Sequence, residues 1–212
     1  MAIEHEGYAA RLEVDYPEQL DRLTTFFRLI WIIPIAVIAS LLMSGDSRTM
    51  GNEAGEVAFS AGGIGIGLAV ATVLMIVFRT RYPRWWFDFA VELARFQGRI
   101  AAYLALLTDQ YPSTVEEQAV HLEIDYPDVE RDLNRWLPLV KWFLAIPHYL
   151  VLLILMPLSV LAIVFSWFAI LFTGRYPRVL FNFVVGVGRW GLRVMAYAFL
   201  LVTDQYPPFS MD

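Results

Sequence analysis

The sequence predicts a mostly α-helical integral membrane protein. It reads as two tandem repeats, each a transmembrane helical hairpin followed by an interfacial amphipathic helix, with short cytoplasmic β-strands. Three observations carry this: the composition, the long uncharged runs, and the recurrence of motifs in the same order in both halves. The hydrophobic fraction is 58% and the charged fraction 17% over 212 residues, against about 45–50% and about 25% for a soluble domain. Mean hydropathy is +0.54. A soluble chain of this kind would expose large apolar patches, and the same composition excludes disorder. With no cysteine, disulfides, thiolate metal sites and cysteine nucleophiles are excluded. The net charge of −5 hides fifteen arginines against a single lysine.

The first hairpin is read as 24–44 and 57–78. Thr24 to Ser44 carries one charge, Arg28, and Val57 to Phe78 carries none; about 20 apolar residues span a bilayer as helix. The stretch Gly45 to Glu56 connects them. Gly62, Gly63, Gly65 and Gly67 in the second leg suit close packing of membrane helices. From Trp136 to Phe172 only Lys141 and His148 are ionisable. One straight helix over that run would be about 55 Å long, against a hydrocarbon core of roughly 30 Å. Two legs, 136–156 and 158–173, turning near Met156-Pro157-Leu158, are therefore expected.

The halves match motif by motif. RLEVDYPEQL (11–20) matches HLEIDYPDVE (121–130), RYPRWWFDF (81–89) matches RYPRVLFNF (175–183), and AYLALLTDQYP (102–112) matches AYAFLLVTDQYP (196–207). Pro34 aligns with Pro147 and Arg28 with Lys141. Small insertions separate the two: three residues after the first Tyr-Pro, one before the last Thr-Asp. The order reads as a tandem duplication, with units at 8–112 and 118–207.

Residues 85–107 and 179–202 are read as amphipathic helices lying in the interface. Asp88, Glu92, Arg95 and Arg99 are spaced 4, 3, 4 and stack on one helix face. Charges at the centre of a span cost about 2.5–3.5 kcal/mol each. With two spans per unit, every basic residue except Arg48 falls on one side or at its boundary, which satisfies the positive-inside rule and makes both termini cytoplasmic. The two units are then related by an axis along the membrane normal.

R-Y-P-R-x-x-F-x-F, the R-x-x-x-R-x-x-A-Y helix, T-D-x-Y-P and the L-E-[VI]-D-Y-P lead-in together resemble the bacterial membrane-protein family called domain of unknown function 4389. The resemblance covers nearly the whole chain, the loop at 45–56 fitting least. It implies a bacterial integral membrane protein, and the spans read above make it a multi-pass protein of the inner membrane. It implies no activity and no site residues.

Six of the ten tyrosines precede proline: Tyr16, Tyr82, Tyr111, Tyr126, Tyr176 and Tyr206. Proline ends helices and tyrosine favours headgroup level, so these pairs mark the membrane surface. Arg81, Arg84, Arg175 and Arg178 flank two of them, where guanidinium suits anionic lipid headgroups. Arg95 and Arg99 recur as Arg189 and Arg193, but Asp88 and Glu92 become Asn182 and Gly186. The second arginine pair is expected to find Asp88 and Glu92 across the axis, or lipid phosphate. The alternation of residues 10–15 and 120–125 predicts two strands that pair with each other or with another subunit and pack on the amphipathic helices. Their acids are expected on the arginine surface, and Asp109 and Asp204 at the turns that follow them. His148 is the ionisable group deepest in the apolar runs, an intramembrane candidate whose expected partner is a carbonyl freed by Pro147.

No catalytic constellation, metal-ligand set or cofactor motif is present, and net charge argues against nucleic acid. The expected function is a non-catalytic scaffold or accessory subunit. Its arginine-rich cytoplasmic face would hold anionic lipid, a second copy or another membrane protein. The alternative is a small channel or transporter along the repeat axis or within an oligomer, lined by Ser60, Thr72, Ser159, Ser166 and His148.

Overall fold

A computed structural model describes residues 7–43, 63–113 and 118–212. The expected loop at 45–56 with Arg48, and the start of the second leg with Ser60 and Gly62, lie outside the described residues. The elements in order are β1 (Ala10–Val14), α1 (Arg22–Trp31), α2 (Ile33–Met43), α3 (Gly63–Arg79), α4 (Arg84–Leu104), β2 (Val120–Ile124), α5 (Val129–Asp132), α6 (Pro138–Leu144), α7 (Ile146–Thr173) and α8 (Arg178–Ala198). Among the described residues two helices, α7 and α8, are long and apolar enough to cross a membrane.

β1 and β2 pair antiparallel, Ala10 opposite Ile124, Leu12 opposite Leu122 and Val14 opposite Val120. The period of two puts these six on the inner face and Arg11, Glu13, His121 and Glu123 on the outer one. Arg11 reaches Asp125 at 2.9 Å and Glu123 at 3.5 Å, and His121 lies 3.2 Å from Asp15. Asp15, Glu123 and Asp125 thus find partners within the ribbon rather than on the arginine surface.

The ribbon lies on α4 and α8. Ala10, Leu122 and Ile124 share one core with Phe87 and Val91 of α4 and Leu192 and Ala196 of α8. α4 and α8 start directly after Tyr-Pro, with Pro83 and Pro177 at the N-cap, where the missing N–H costs nothing. On the far side of α8 from the ribbon lies α7: Ala145 and Tyr149 pack on Trp190, Val194 and Tyr197. Asp21 caps α1 by accepting from the Leu23 N–H at 3.1 Å. Arrangement in three layers follows: ribbon, then α4 and α8, then α1 to α3 with α6 and α7.

The expected turn at Met156-Pro157-Leu158 is absent. α7 runs unbroken through Pro157, a length of roughly 42 Å. The reason is packing. Ser159, Ala162, Ser166 and Ile170, buried at spacings of three and four, form a stripe that continues the seat on α8 past the proline, its first three residues small enough for close approach. Pro157 itself lies where one lost backbone bond is tolerated.

Left-handed backbone recurs in both halves. Thr80 (φ 49°) corresponds to Gly174 (φ 71°), and Leu106 (φ 64°) to Leu201 (φ 58°). Gly174 closes α7 as a left-handed C-cap. Thr80 adopts the same turn at a steric cost glycine avoids.

Candidate functional site

The residues that recur in sequence form recurring contacts in space. Arg28, 2% exposed, donates to the carbonyls of Tyr103 at 2.6 Å and Thr108 at 2.8 Å and pairs with Asp109. Its guanidinium lies 4.4 Å over the Tyr103 ring. The other Asp109 oxygen accepts from the Asp21 N–H at 2.7 Å. In the second half Lys141, fully buried, donates to the Thr203 carbonyl at 2.7 Å and pairs with Asp204 at 2.7 Å. Asp204 accepts from the Asn134 N–H at 2.5 Å. Both aspartates therefore tie the end of one helix to the entry of another. The following turns are capped by Thr108 and Thr203, which accept from Gln110 and Gln205 N–H at 3.1 Å.

The R-Y-P-R segments are held by tyrosines of the strand lead-ins, each reaching into the other half. The Tyr16 hydroxyl donates to the Tyr176 carbonyl at 2.5 Å, and Tyr126 donates to the Tyr82 carbonyl. Arg178 stacks 4.5 Å over Tyr16 and Arg84 4.7 Å over Tyr126. Arg84 lies 3.4 Å from Asp88; at the position matching Asp88 the second half carries Asn182, and among the described residues Arg178 has no ion pair. Arg81 and Arg175 are exposed, and among the described residues their guanidinium groups have no hydrogen bond or ion pair. Burial pushes the Tyr82 phenol up to about 12.

The other four arginines go to backbone. Arg95 donates to the Leu122 carbonyl at 3.0 Å and Arg189 to the Leu12 carbonyl at 2.8 Å, locking one strand each onto α4 and α8. Arg99 reaches the Ser113 carbonyl and Arg193 the Ser210 carbonyl at 3.4 Å. Glu92 pairs with Arg95 at 2.5 Å. The expected pairing of Arg189 and Arg193 with Asp88 and Glu92 is not what the structure holds. A ribbon carbonyl and a tail carbonyl supply what the lost acids do not.

His148 is fully buried. Its Nδ1 accepts from the Trp190 indole N–H at 3.0 Å, so the neutral ring carries its proton on Nε2. The partner is Trp190, not a Pro147 carbonyl. Phe209 stacks on the ring at 4.1 Å and Tyr206 lies at 4.8 Å. Thr72 donates to Leu68 O at 2.8 Å and accepts from Trp86 at 2.9 Å, and Ser159 donates to Leu155 O at 3.0 Å. These polar groups serve local bonds. The cavity between α3, α4, α7 and α8, about 530 Å³, is lined mainly by apolar side chains such as Leu68, Leu93, Met156 and Val194.

Sequence reasoning places Arg81, Arg84, Arg175 and Arg178 at one kind of position, and they are found in equivalent surroundings. It overlooks the Arg28–Asp109 and Lys141–Asp204 anchors. The signal was there in the alignment of Arg28 with Lys141 and in the Thr-Asp pair that recurs in both halves, but nothing local joins Arg28 to a residue 81 positions away. No curated protein and no solved structure matches the chain. Residues 136–211 match the family model described as Domain of unknown function (DUF4389), so the likeness is carried by the second of the two recurrent halves and brings no activity with it.

Proposed function

We propose that the chain is a non-catalytic protein of the bacterial inner membrane, built from two tandem copies of one unit. It acts as a scaffold or accessory subunit with both termini cytoplasmic. Its arginine-rich face binds anionic lipid headgroups, and through them or directly a second copy or another membrane protein. The observation that carries this is the pair Arg81 and Arg175. Each is exposed at the start of an amphipathic helix without an anion partner among the described residues, beside an arginine preset by stacking on tyrosine. A basic residue at the membrane surface contributes about 1 kcal/mol toward anionic lipid. The paired contacts of the two halves support the duplication. The apolar lining between the halves favours a scaffold over a conduction path.

Lipid mass spectrometry of protein purified from native membranes tests the reading. Anionic lipid should be enriched, and Arg81→Gln with Arg175→Gln should reduce the enrichment several-fold with the fold intact. Equal lipid content in the variant would argue against the site. Solute-specific flux in liposomes would sink the scaffold and leave the channel.

A further inference from the structure

The charged ribbon, α8 and α7 are stacked side by side, and this limits how the molecule can sit in a bilayer. The chain from residue 8 to 16 tracks α8 along most of its length. Tyr8 donates to the Arg193 carbonyl at 3.4 Å near one end, Leu12 meets Arg189 in the middle, and Tyr16 reaches Tyr176 just before the start. A methyl placed on Gly188 would lie 3.3 Å from Leu12 Cδ2. On the opposite face α7 follows α8 just as far. Its first turn packs on Trp190, Val194 and Tyr197, and Ala162 and Ile170 share a core with Phe181 and Val184.

A bilayer normal along α7 would therefore carry the strand through hydrocarbon. The outer face of the ribbon bears Arg11, Glu13, His121 and Glu123, with Glu123 67% and His121 53% exposed. Its two strands form a two-stranded sheet with no further strand on either edge among the described residues. Neither exposed charge nor an open sheet edge is tolerated in lipid. We propose that the protein occupies a single leaflet, the cytoplasmic one. The layer of α1 to α3, α6 and α7 sinks into hydrocarbon, α4 and α8 lie at headgroup depth, and the ribbon stays in water. This replaces the crossing hairpins expected from the sequence, and it rests only on the membrane association in the proposed function, not on the scaffold role.

The side chains fit that occupant. Leu150, Leu153, Ile154, Leu161, Phe165 and Phe172 of α7 are 54 to 79% exposed, a continuous apolar face too large for water. Trp31, Trp85, Trp136 and Trp142, each at least 58% exposed, belong at the interface. One helix is about 10 Å thick and half of the hydrocarbon core roughly 15 Å, so one helical layer fits within one leaflet. Arg22, Arg79, Arg81 and Arg175, exposed at helix ends, meet anionic headgroups.

The cysteine-free chain permits a direct test. Glu130→Cys lies ahead of α6 and Thr173→Cys at the end of α7, with Val179→Cys as a second probe of that end. Each is labelled with an impermeant maleimide in right-side-out and in inside-out membrane vesicles. Single-leaflet placement predicts labelling of all three in inside-out vesicles alone. Labelling of residue 130 from one side and 173 or 179 from the other overturns it, while the arginine–headgroup reading is still judged by its own lipid analysis. In vesicles of mixed phosphatidylethanolamine and phosphatidylglycerol, a fluorophore on Leu161→Cys should be quenched by acyl-brominated lipid. Disulfide cross-linking of Phe165→Cys between copies, without such quenching, would mean a second copy covers the face and would equally overturn the proposal.

Discussion

The two halves of the chain use the same anchors and differ in what surrounds them. In each half a buried cation ties an entry helix to a Thr-Asp segment, a tyrosine of the strand lead-in holds the other half's R-Y-P-R turn, and an arginine on the amphipathic helix grips a strand carbonyl. Arg28 becomes Lys141, Ile35 becomes His148, Phe96 becomes Trp190 and Glu92 becomes Gly186. Where the first half packs Ile35 and Phe96 in an apolar cluster, the second has a hydrogen-bonded pair. The contacts that join elements persist, and the fillings between them vary.

The largest effect is expected at the anchors. Arg28→Ala strands the Asp109 carboxylate and two carbonyls, and Lys141→Ala strands the Asp204 carboxylate and one; breaking such a pair costs about 3–5 kcal/mol. Thermal unfolding in detergent should show comparable losses in both halves. A large loss in one half and none in the other would break the equivalence. Arg28→Lys should cost less, because Lys141 shows that two acceptors suffice.

Next comes the tail. A Cβ on Gly186 would meet Met211 Cβ at 2.8 Å and its carbonyl at 3.0 Å. Gly186→Ala should displace residues 209–212 at a cost of about 1–3 kcal/mol, seen as faster hydrogen exchange there. The matching Glu92→Ala lies on an exposed ion pair and should cost under about 1 kcal/mol.

The polar pair sharpens the comparison further. Trp190→Phe leaves the His148 Nδ1 without its donor, about 1–3 kcal/mol. Trp190→Phe with His148→Ile copies the first half and should recover most of that loss, since replacing both partners by apolar groups is nearly neutral. A double variant as unstable as the single one would assign His148 a role beyond packing.

The smallest effect appears only at high pH. The Tyr82 phenol is held up at about 12 by burial, above the ordinary value near 10. The folded state then keeps a proton that the unfolded chain releases. Stability from this group is complete below pH 10 and lost as pH rises from about 10 to about 12. Tyrosinate absorbance should lose a component titrating near pH 12 in Tyr82→Phe. A missing component at pH 10 instead would mean that the phenol is solvated.

The strands were legible because alternation at 10–15 and 120–125 is local, while their pairing with each other rather than with another subunit was decided only in the fold. The surface arginines were legible because Tyr-Pro stops a helix wherever it falls. Illegible were the anchors, the His148 partner and the path through Pro157. Trp190 lies 42 residues from His148, and a proline in an apolar run is compatible with a turn or with a helix until the neighbour is known.

From the residues alone follow the apolar surface, the recurrence, the strands and the stops between helices, since each is a property of composition or of short-range geometry. Folding in three dimensions settled which acid meets which cation and that α7 continues through its proline. Those outcomes depend on the face α8 presents, and a side chain's best partner is chosen by distance in space, which sequence separation does not encode.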